Sequence, residues 1–510
     1  MSRLSRLKIE DARSKASAKI AVLGAGFTGL TAAYYLAKKG HQVVVFEKES
    51  QPGGLARGFK LSGWSWTLEQ NYHHFFASDT KAFKLIDELG LSDKLFFKKP
   101  VTAIYYKKLK IQNSKFKTRA QKLKLKIHNS EFRIHNSGIY PLDTPFNFLL
   151  FPHLSPIDKL RSGLALAYLK TTPFCQRLER VTARDWIIKN MGPKAWQILW
   201  KPLFLNKFGK FADKVPTSWF WARIKKRSQK LGYLKGGFQA LADKLVEEIK
   251  KFGGKFYFNS EIQKITLSKD KKSPLQLQNL CYDRIINFYF EKVAVTLPTP
   301  VFLKIAKSLF QNHQCHSEFS PESKPQGILK PLNSVQGQDD FVNYLKRLSS
   351  VSHFHSLTLI LRLKKPFLKK TYWLNICDSS FPFLLLVEQT NFIEPRHYNG
   401  DHLLYIGNYL PDHHPYLSKS QEELLEIFLP YLQKINPSFD ATCNMKHVTR
   451  FISKYAQPVF PLNYSQTKPP LTTPIPNLFL ANQDQVYPWD RGVNYAIELG
   501  KKVAELIEVG

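Results

Sequence analysis

Cysteine is scarce in this chain. Five stand in 510 residues, at positions 175, 281, 315, 377 and 443, and no two form a CxxC pair. That spacing excludes a disulfide framework and a cysteine-built metal centre, and it suits a reducing compartment. Long apolar runs are missing too. Stretches such as residues 148–151 and 164–169 are short, and none nears the ~18 residues of a spanning helix. The first 17 residues, MSRLSRLKIEDARSKAS, are basic without an apolar core, so no secretory signal is expected. There is no GxSxG, P-loop or HExxH motif, and the 15 histidines show no ligand spacing. A serine hydrolase, a P-loop nucleotidase and a metal site are therefore not expected.

Acids are also few: 40 Asp and Glu face 75 Lys and Arg, a net charge of +35. Such a surplus bears on partners rather than on fold, and points to nucleic acid, an anionic membrane surface or a phosphate-bearing substrate. With 43% hydrophobic and 23% charged residues, the chain reads as globular, neither disordered nor a membrane bundle. At ~150 residues per domain, its length suggests two to four domains.

Residues 1–17 read as a basic tail. Residues 19–23 form a short apolar strand, 24–29 a glycine-rich turn, 30–39 a helix stopped at Gly40, and 42–46 a second apolar strand. This β-α-β unit predicts a parallel sheet. Residues 107–137 break the pattern: KIQNSKFK recurs loosely as KIHNSEFR, and residues 107–133 hold ten basic residues against one acid. The segment reads as an insertion, either a polyanion-binding arm or a tolerated surface loop. A second loop insert, 311–338, is rich in Ser, Pro, Gln and His. Residues 157–229 read as helical. Residues 231–265 read as a turn, a helix over 238–252 and a strand over 255–258, and 351–410 as strand-rich. A strand at 477–480 precedes a last helix at 494–509.

The strongest motif is Gly24-Ala25-Gly26-Phe27-Thr28-Gly29. Its context is complete, with a strand before it, a helix after it and an acid closing the second strand. Gly24 permits the tight turn, Gly26 lets backbone approach a pyrophosphate, and Gly29 lets helix and strand pack. The phosphates then sit at the positive end of the helix dipole. Glu47, 23 residues beyond Gly24, is placed to accept hydrogen bonds from an adenosine ribose, and it disfavours a 2′-phosphate.

Gly53-Gly54 follows that acid by six residues, with Leu55 and Arg57 just after. This arrangement resembles the flavin amine oxidase, protoporphyrinogen oxidase and phytoene desaturase superfamily. Three further segments carry the likeness: GYLKGGFQAL at 232–241, VAVTLP at 293–298 and NLFLANQDQVYPWDRGVNYAIELG at 477–500. The resemblance implies FAD, bound by residues 24–29, Glu47, Lys48, Gly53, Gly54, Leu55 and Arg57. It adds the backbone of Ile262, Asp484 or its neighbour Gln483, and the helix start Gly492-Val493-Asn494. The last segment departs from the family's usual Gly-Asp: Asn482-Gln483 stands there, and Asp484 comes one step later. Only one GxGxxG occurs, so a separate nicotinamide domain is not expected, and oxygen or a quinone would accept the electrons.

The cluster Glu69-Gln70-Asn71-Tyr72-His73-His74 resembles the histidine-containing stretch near the flavin of UDP-galactopyranose mutases. His73 or His74 could shuttle a proton there, or both could be satisfied histidines at a strand end. In the loop 487–491, Arg491 could bind a substrate phosphate and Trp489 could wall the pocket, or the loop could be purely structural. Trp373 and the polar stretch Glu388-Gln389-Thr390-Asn391 are further candidates for pocket lining. Residues 146–168 mix apolar and basic side chains and could rest on a membrane surface.

The expected architecture is α/β. A doubly wound, Rossmann-like FAD-binding domain is assembled from 18–105, 230–300 and 441–510, with an inserted α+β substrate domain from 106–229 and 301–440. The expected activity is hydride transfer from a substrate C–H bond to flavin N5. An amine, a porphyrinogen, a polyene or a polyprenyl-linked sugar remain open as substrates, whether small-molecule or lipid-linked. The alternative is a non-redox flavoenzyme resembling UDP-galactopyranose mutase. The expected location is cytoplasmic with peripheral membrane contact, and no specific nucleic-acid partner is expected.

Overall fold

The computed structural model describes residues 17–106, 138–281, 284–312 and 335–509. The basic tail and the insertion at 107–137 lie almost wholly outside them. In chain order the elements that matter are β1 (Lys19–Leu23), α1 (Phe27–Lys38), β2 (Gln42–Phe46), α2 (Thr80–Glu88) and β3 (Val101–Tyr105). Then come β4 (Ile139–Pro141), α3 (Pro145–Leu149), α4 (Pro156–Thr171), α5 (Lys201–Phe208), α6 (Thr217–Lys226), β5 (Leu231–Leu234) and α7 (Phe238–Lys251). The chain continues with β6 (Lys255–Tyr257), β7 (Ile262–Leu267), β8 (Leu275–Cys281), β9 (Arg284–Phe290), β10 (Lys292–Val295) and β11 (Ser352–Leu363). It closes with β12 (Thr371–Ile376), β13 (Leu385–Glu388), β14 (His402–Leu410), β15 (Met445–Val459), β16 (Leu478–Leu480) and α8 (Val493–Val509).

The first sheet is parallel throughout, in the order β6-β2-β1-β10-β16. Its strands are short apolar runs because both faces are buried. Ile20 and Val22 point to a core shared with α1, α7 and α8. Ala21 and Leu23 point to the opposite core, shared with the antiparallel β7-β8-β9 meander. Helices therefore cover one face and a small sheet covers the other.

A second, seven-stranded sheet runs β15-β11-β14-β13-β12-β3-β4, with only β12 and β3 paired in parallel. A helix at Gln421–Ile435 covers its outer face through Leu424, Phe428 and Leu432. A helical lobe containing α4, α5 and α6 has its own core around Leu169, Phe204 and Trp221. The mixed sheet and the lobe are the inserted α+β part.

Three local expectations need correction. The first helix begins at Phe27, not at residue 30, because extended Gly26 serves as its N-cap. Residues 231–234 are strand β5, not turn, and pair with residues 75–76 and 95–98. The turn is confined to Gly236 and Gly237, both at positive φ. The loop read at 311–338 is helical at both ends, in Lys307–Asn312 and Val335–Ser349; its middle lies outside the described residues.

Candidate functional site

One cavity of about 1580 Å³ runs between the parallel sheet, the mixed sheet and the helical lobe. A pocket for one ligand holds ~300–1,000 Å³, so this one has room for a cofactor and a substrate together.

At one end lies the glycine cradle. Gly24 sits at φ +103°, and a Cβ on Gly54 would stand 2.9 Å from the Gly26 Cα. The two glycine loops touch, and at Gly54 only a hydrogen-sized side chain fits. Gly24, Gly26, Phe27, Thr28, Gly53, Gly54, Leu55 and Arg57 line the cavity. Ala25 and Gly29 do not. The Ala25 N–H donates to Glu47 Oε2 at 2.7 Å, and a Cβ on Gly29 would lie 1.9 Å from the Gly24 carbonyl oxygen. These two residues shape the turn rather than its surface.

Glu47 is buried at the tip of β2, and its Oε1 accepts the Glu49 N–H at 3.0 Å. Burial raises its pKa, and the two backbone bonds oppose the rise. Lys48 lines the cavity beside it. Arg57 Nη1 pairs with Glu49 at 2.6 Å, and its Nη2 donates to Gln70 at 3.2 Å. The buried Nε of Arg57 has no acceptor. Ile262, at the start of β7, completes this end with Ser260 and Glu261.

Further in, Gln483 lines the cavity and Asp484 does not. The Asp484 carboxylate accepts from Thr299 Oγ1 at 2.5 Å and lies 2.9 Å from His353 Nε2. Both partners hold it away from the opening. Gln483 donates through Nε2 to the Tyr455 carbonyl and leaves its Oε1 without a donor. Gly492, Val493 and Asn494 line the cavity at the start of α8, where first-turn N–H groups lack intrahelical acceptors. The Asn494 side chain is already committed, its Oδ1 accepting from the Lys81 and Ala82 N–H groups of α2.

The middle of the cavity is aromatic. Tyr72 meets Trp373 edge-on at 5.0 Å, and His74 meets the same ring at 5.7 Å. His73 and His74 both line this stretch. Burial pushes their pKa values down to about 4 and about 3, so both rings are neutral near pH 7. His73 Nδ1 lies 2.6 Å from the Asn71 carbonyl oxygen. A carbonyl only accepts, so Nδ1 carries the proton and Nε2 is left as a bare acceptor. Arg491 donates through Nε to Gln457 at 3.1 Å and through Nη2 to the Tyr409 hydroxyl. Burial lowers its pKa to about 10.

Two candidates for lining lie elsewhere. Trp489 is absent from the cavity wall and stacks on Trp221 at 5.0 Å and on Tyr495 at 5.7 Å. Glu388, the last residue of β13, is buried with Gln389 and Thr390, and its Oε2 accepts from the Phe367 and Leu368 N–H groups, at 2.9 and 3.2 Å. The run of carboxylate and amides closes a turn instead of facing the opening.

Sequence reasoning also missed residues. Lys207 on α5 and Arg223 on α6 line the cavity, with Arg227 just past the end of α6. A lone cation in sequence reads as solvated surface. The available signal was Arg223 and Arg227 four apart at the end of an aromatic helix, and Lys207 within the aromatic-rich stretch 203–211.

The cradle fits a flavin dinucleotide: two glycine loops in contact at Gly54, an acid at the strand tip, and two lining residues, Arg57 and Gln483, that each keep a buried polar atom without a partner.

Comparisons with known proteins point the same way. The chain is 25% identical to soybean (Glycine max) 15-cis-phytoene desaturase over 261 residues, 49% of this chain and 43% of that protein. It is 24% identical to the zeta-carotene desaturase of Arabidopsis thaliana over 36% of this chain and 32% of that protein. It thus matches less than half the length of these relatives. Among solved structures it shares a fold with reduced UDP-galactopyranose mutase, at a TM-score of 0.64 and 15% identity over 96% of each chain. A Methanosarcina mazei oxidoreductase superposes with a TM-score of 0.63 and 19% identity, over 95% of this chain and 99% of that one. The profile of the flavin-containing amine oxidoreductases matches residues 27–508, and the chain belongs to that family.

Proposed function

We propose that this chain is an FAD-dependent oxidoreductase that takes a hydride from a C–H bond of an elongated, largely apolar substrate. One observation carries the reading. A single cavity joins the dinucleotide cradle to an apolar mouth on the helical lobe, and its volume exceeds what one ligand needs. When bound, FAD supplies the hydride-accepting chemistry at its N5.

The chain's own residues do the rest. Glu47 and the glycine loops hold the dinucleotide end. Tyr72, His74 and Trp373 wall the middle and exclude water. His73 offers a bare Nε2 as proton acceptor where a substrate proton must leave. The first-turn N–H groups of α8 would favour negative charge on a reduced flavin held at that end of the cavity. The solitary dinucleotide fingerprint supports oxygen or a quinone as electron acceptor.

The mouth supports a substrate drawn from lipid. Leu149, Leu160 and Leu164 line the cavity and are also 59%, 65% and 64% exposed. Ile157 and Tyr168 continue the apolar stripe along α4. Among the described residues, no helix is long and apolar enough to cross a membrane, so this stripe would rest on a membrane surface.

A second reading is favoured by the cations around Arg491: non-redox group transfer on a sugar nucleotide or lipid-linked sugar. The visible spectrum decides between them, recorded after reduction without air and again on re-exposure. Reoxidation within seconds, or on adding a quinone, supports the oxidoreductase. A flavin that stays reduced with both acceptors supports the transferase, and a protein that binds no flavin overturns both.

A further inference from the structure

The cavity carries a set of cations that the hydride-transfer reading does not use. Lys207, Arg223, Lys226, Arg227 and Arg491 all line it. Among the described residues, one carboxylate pairs with any of them. Asp490 lies 2.7 Å from Arg223 Nη1 and 3.9 Å from Lys207 Nζ. Two other acids of the cavity wall lie near this set without ion-pair contact: Asp79 accepts from the Phe76 N–H at 2.9 Å and feels Lys226 at longer range, and Asp143 accepts from Asn147 at 2.6 Å and acts in the same way on Arg227.

The other contacts of these cations, those of Lys207 beyond Asp490 included, are with neutral groups. Arg227 donates to Thr102 Oγ1 at 3.1 Å, and Arg491 to Gln457 and Tyr409. Lys207 is 8% exposed and sits 5.1 Å from the ring centres of both Trp219 and Tyr409. Lys226 lies 4.6 Å from the Trp489 ring centre. The ordinary way to hold a helix end explains none of these four. That task falls to Lys170 and Lys225, whose ammonium groups take the carbonyls at the ends of α6 and α4. Cations gathered in a partly desolvated cavity repel one another unless an anion joins them.

Their order along the cavity is informative. The Tyr409 hydroxyl lies 3.5 Å from that of Tyr72, so Arg491 marks the aromatic middle. Arg223 follows on α6, and Arg227 lies beyond it, towards Asp143 and α3. The exposed leucines of α3 and α4 come next. From inside outward, the wall therefore reads aromatic, cationic, apolar.

We infer that the substrate is an anionic amphiphile whose phosphate or diphosphate binds Arg223, Arg227 and Arg491. Its reacting group lies on the inner side, against Tyr72 and His73. Its apolar chain runs outward past Leu149, Leu160 and Leu164. This deepens the flavoenzyme reading and rests on it. Planar guanidinium forks suit phosphoryl oxygens, and the bare apolar wall suits an unbranched or prenyl chain.

The test uses the flavin-loaded protein, with farnesyl diphosphate, farnesol, inorganic pyrophosphate and UDP-galactose as probes. Tryptophan fluorescence reports binding, because Trp219 and Trp489 stand against the cations. Farnesyl diphosphate should bind at least ~10-fold more tightly than each other probe, since it alone satisfies both walls. Arg223→Gln and Arg227→Gln should each weaken it ~10-fold while the flavin absorbance per protein stays unchanged. Arg227 pairs with no carboxylate, so its variant cannot act by releasing Asp490. Farnesol binding as tightly as farnesyl diphosphate would remove the anion from the inference. UDP-galactose binding as tightly would remove the apolar chain. Pyrophosphate that displaces the flavin would assign the cations to the cofactor. Absence of flavin from the purified protein is a separate result, and it alone strikes the underlying flavoenzyme reading.

Discussion

Gly26 and Gly29 lie three residues apart in one motif, yet the structure assigns them separate tasks that a single methyl group can separate. A Cβ on Gly26 would meet nothing closer than the Gly54 Cα, 3.8 Å away, and its φ of −73° suits any residue. Gly26→Ala loses a little as a helix N-cap, roughly 0.5–1 kcal/mol, and regains ~0.4–1 kcal/mol by restricting the unfolded chain. The flavin-free fold should therefore keep its stability within ~0.5 kcal/mol. The added methyl projects into the cradle, where overpacking costs ~1–3 kcal/mol, a ~5- to 150-fold rise in the Kd for FAD. Gly29→Ala differs: its Cβ would lie 1.9 Å from the Gly24 carbonyl oxygen, which backbone must move to relieve. It should lose ~3 kcal/mol or more of stability and lose flavin as well. Urea melts of flavin-stripped protein give the first quantity, and quenching of flavin fluorescence gives the second. If Gly26→Ala binds FAD as tightly as the parent, the pyrophosphate does not pass over Gly26. If it melts as early as Gly29→Ala, the motif is structural throughout.

Glu47→Arg should weaken FAD binding at least ~10-fold, because it removes a charged acceptor worth ~1.5–3 kcal/mol; an unchanged titration would remove Glu47 from the site. Burial raises Glu69 and Glu388 from 4.5 to about 7. The folded state then holds protons that the unfolded chain releases above pH 4.5. Stability should fall as pH rises from about 4.5 to about 7, by up to ~3 kcal/mol per group. Urea midpoints across that range should show the fall, and Glu388→Gln should remove about half of it. Burial pushes the pKa values of His73 and His74 down to about 4 and about 3. Turnover should therefore show no inflection near pH 6.5 from either, and one that disappears in His73→Asn would refute the neutral assignment. Paired Leu160→Asp and Leu164→Asp changes should cut co-sedimentation with anionic vesicles several-fold and leave the flavin spectrum intact; full retention would assign the stripe another use.

The parts legible from sequence are those governed by neighbours in the chain. The β1-α1-β2 unit follows from where glycine is tolerated and where apolar residues run, and the observed turn at Gly24 keeps to that logic. Glu47 was readable because a strand tip fixes its distance from the turn. Asp484 shows the limit. A carboxylate soon after a strand looks available, but His353 and Thr299 come from distant segments and hold it. The polar run at Glu388 fails as lining for the same reason, since the amides it satisfies lie about 20 residues upstream. The cations of α5 and α6 were silent because isolated Lys and Arg carry no signal until a fold faces them towards each other.

The parallel sheet also sets a timetable for synthesis. β1 pairs with β2 almost at once, but its other neighbour, β10, ends at Val295, and the edge strand β16 begins at Leu478. About 180 residues separate the last two, which a ribosome adding ~5–20 residues per second needs roughly 10–40 s to deliver. Throughout that interval β10 presents an unpaired apolar edge, the kind of surface that templates aggregation. Helix α8, whose first turn lines the cavity, is still unmade. The nascent chain is therefore a half-built sheet that no flavin can yet close, and soluble yield should depend on how well chaperones shield β10 until the last segment emerges.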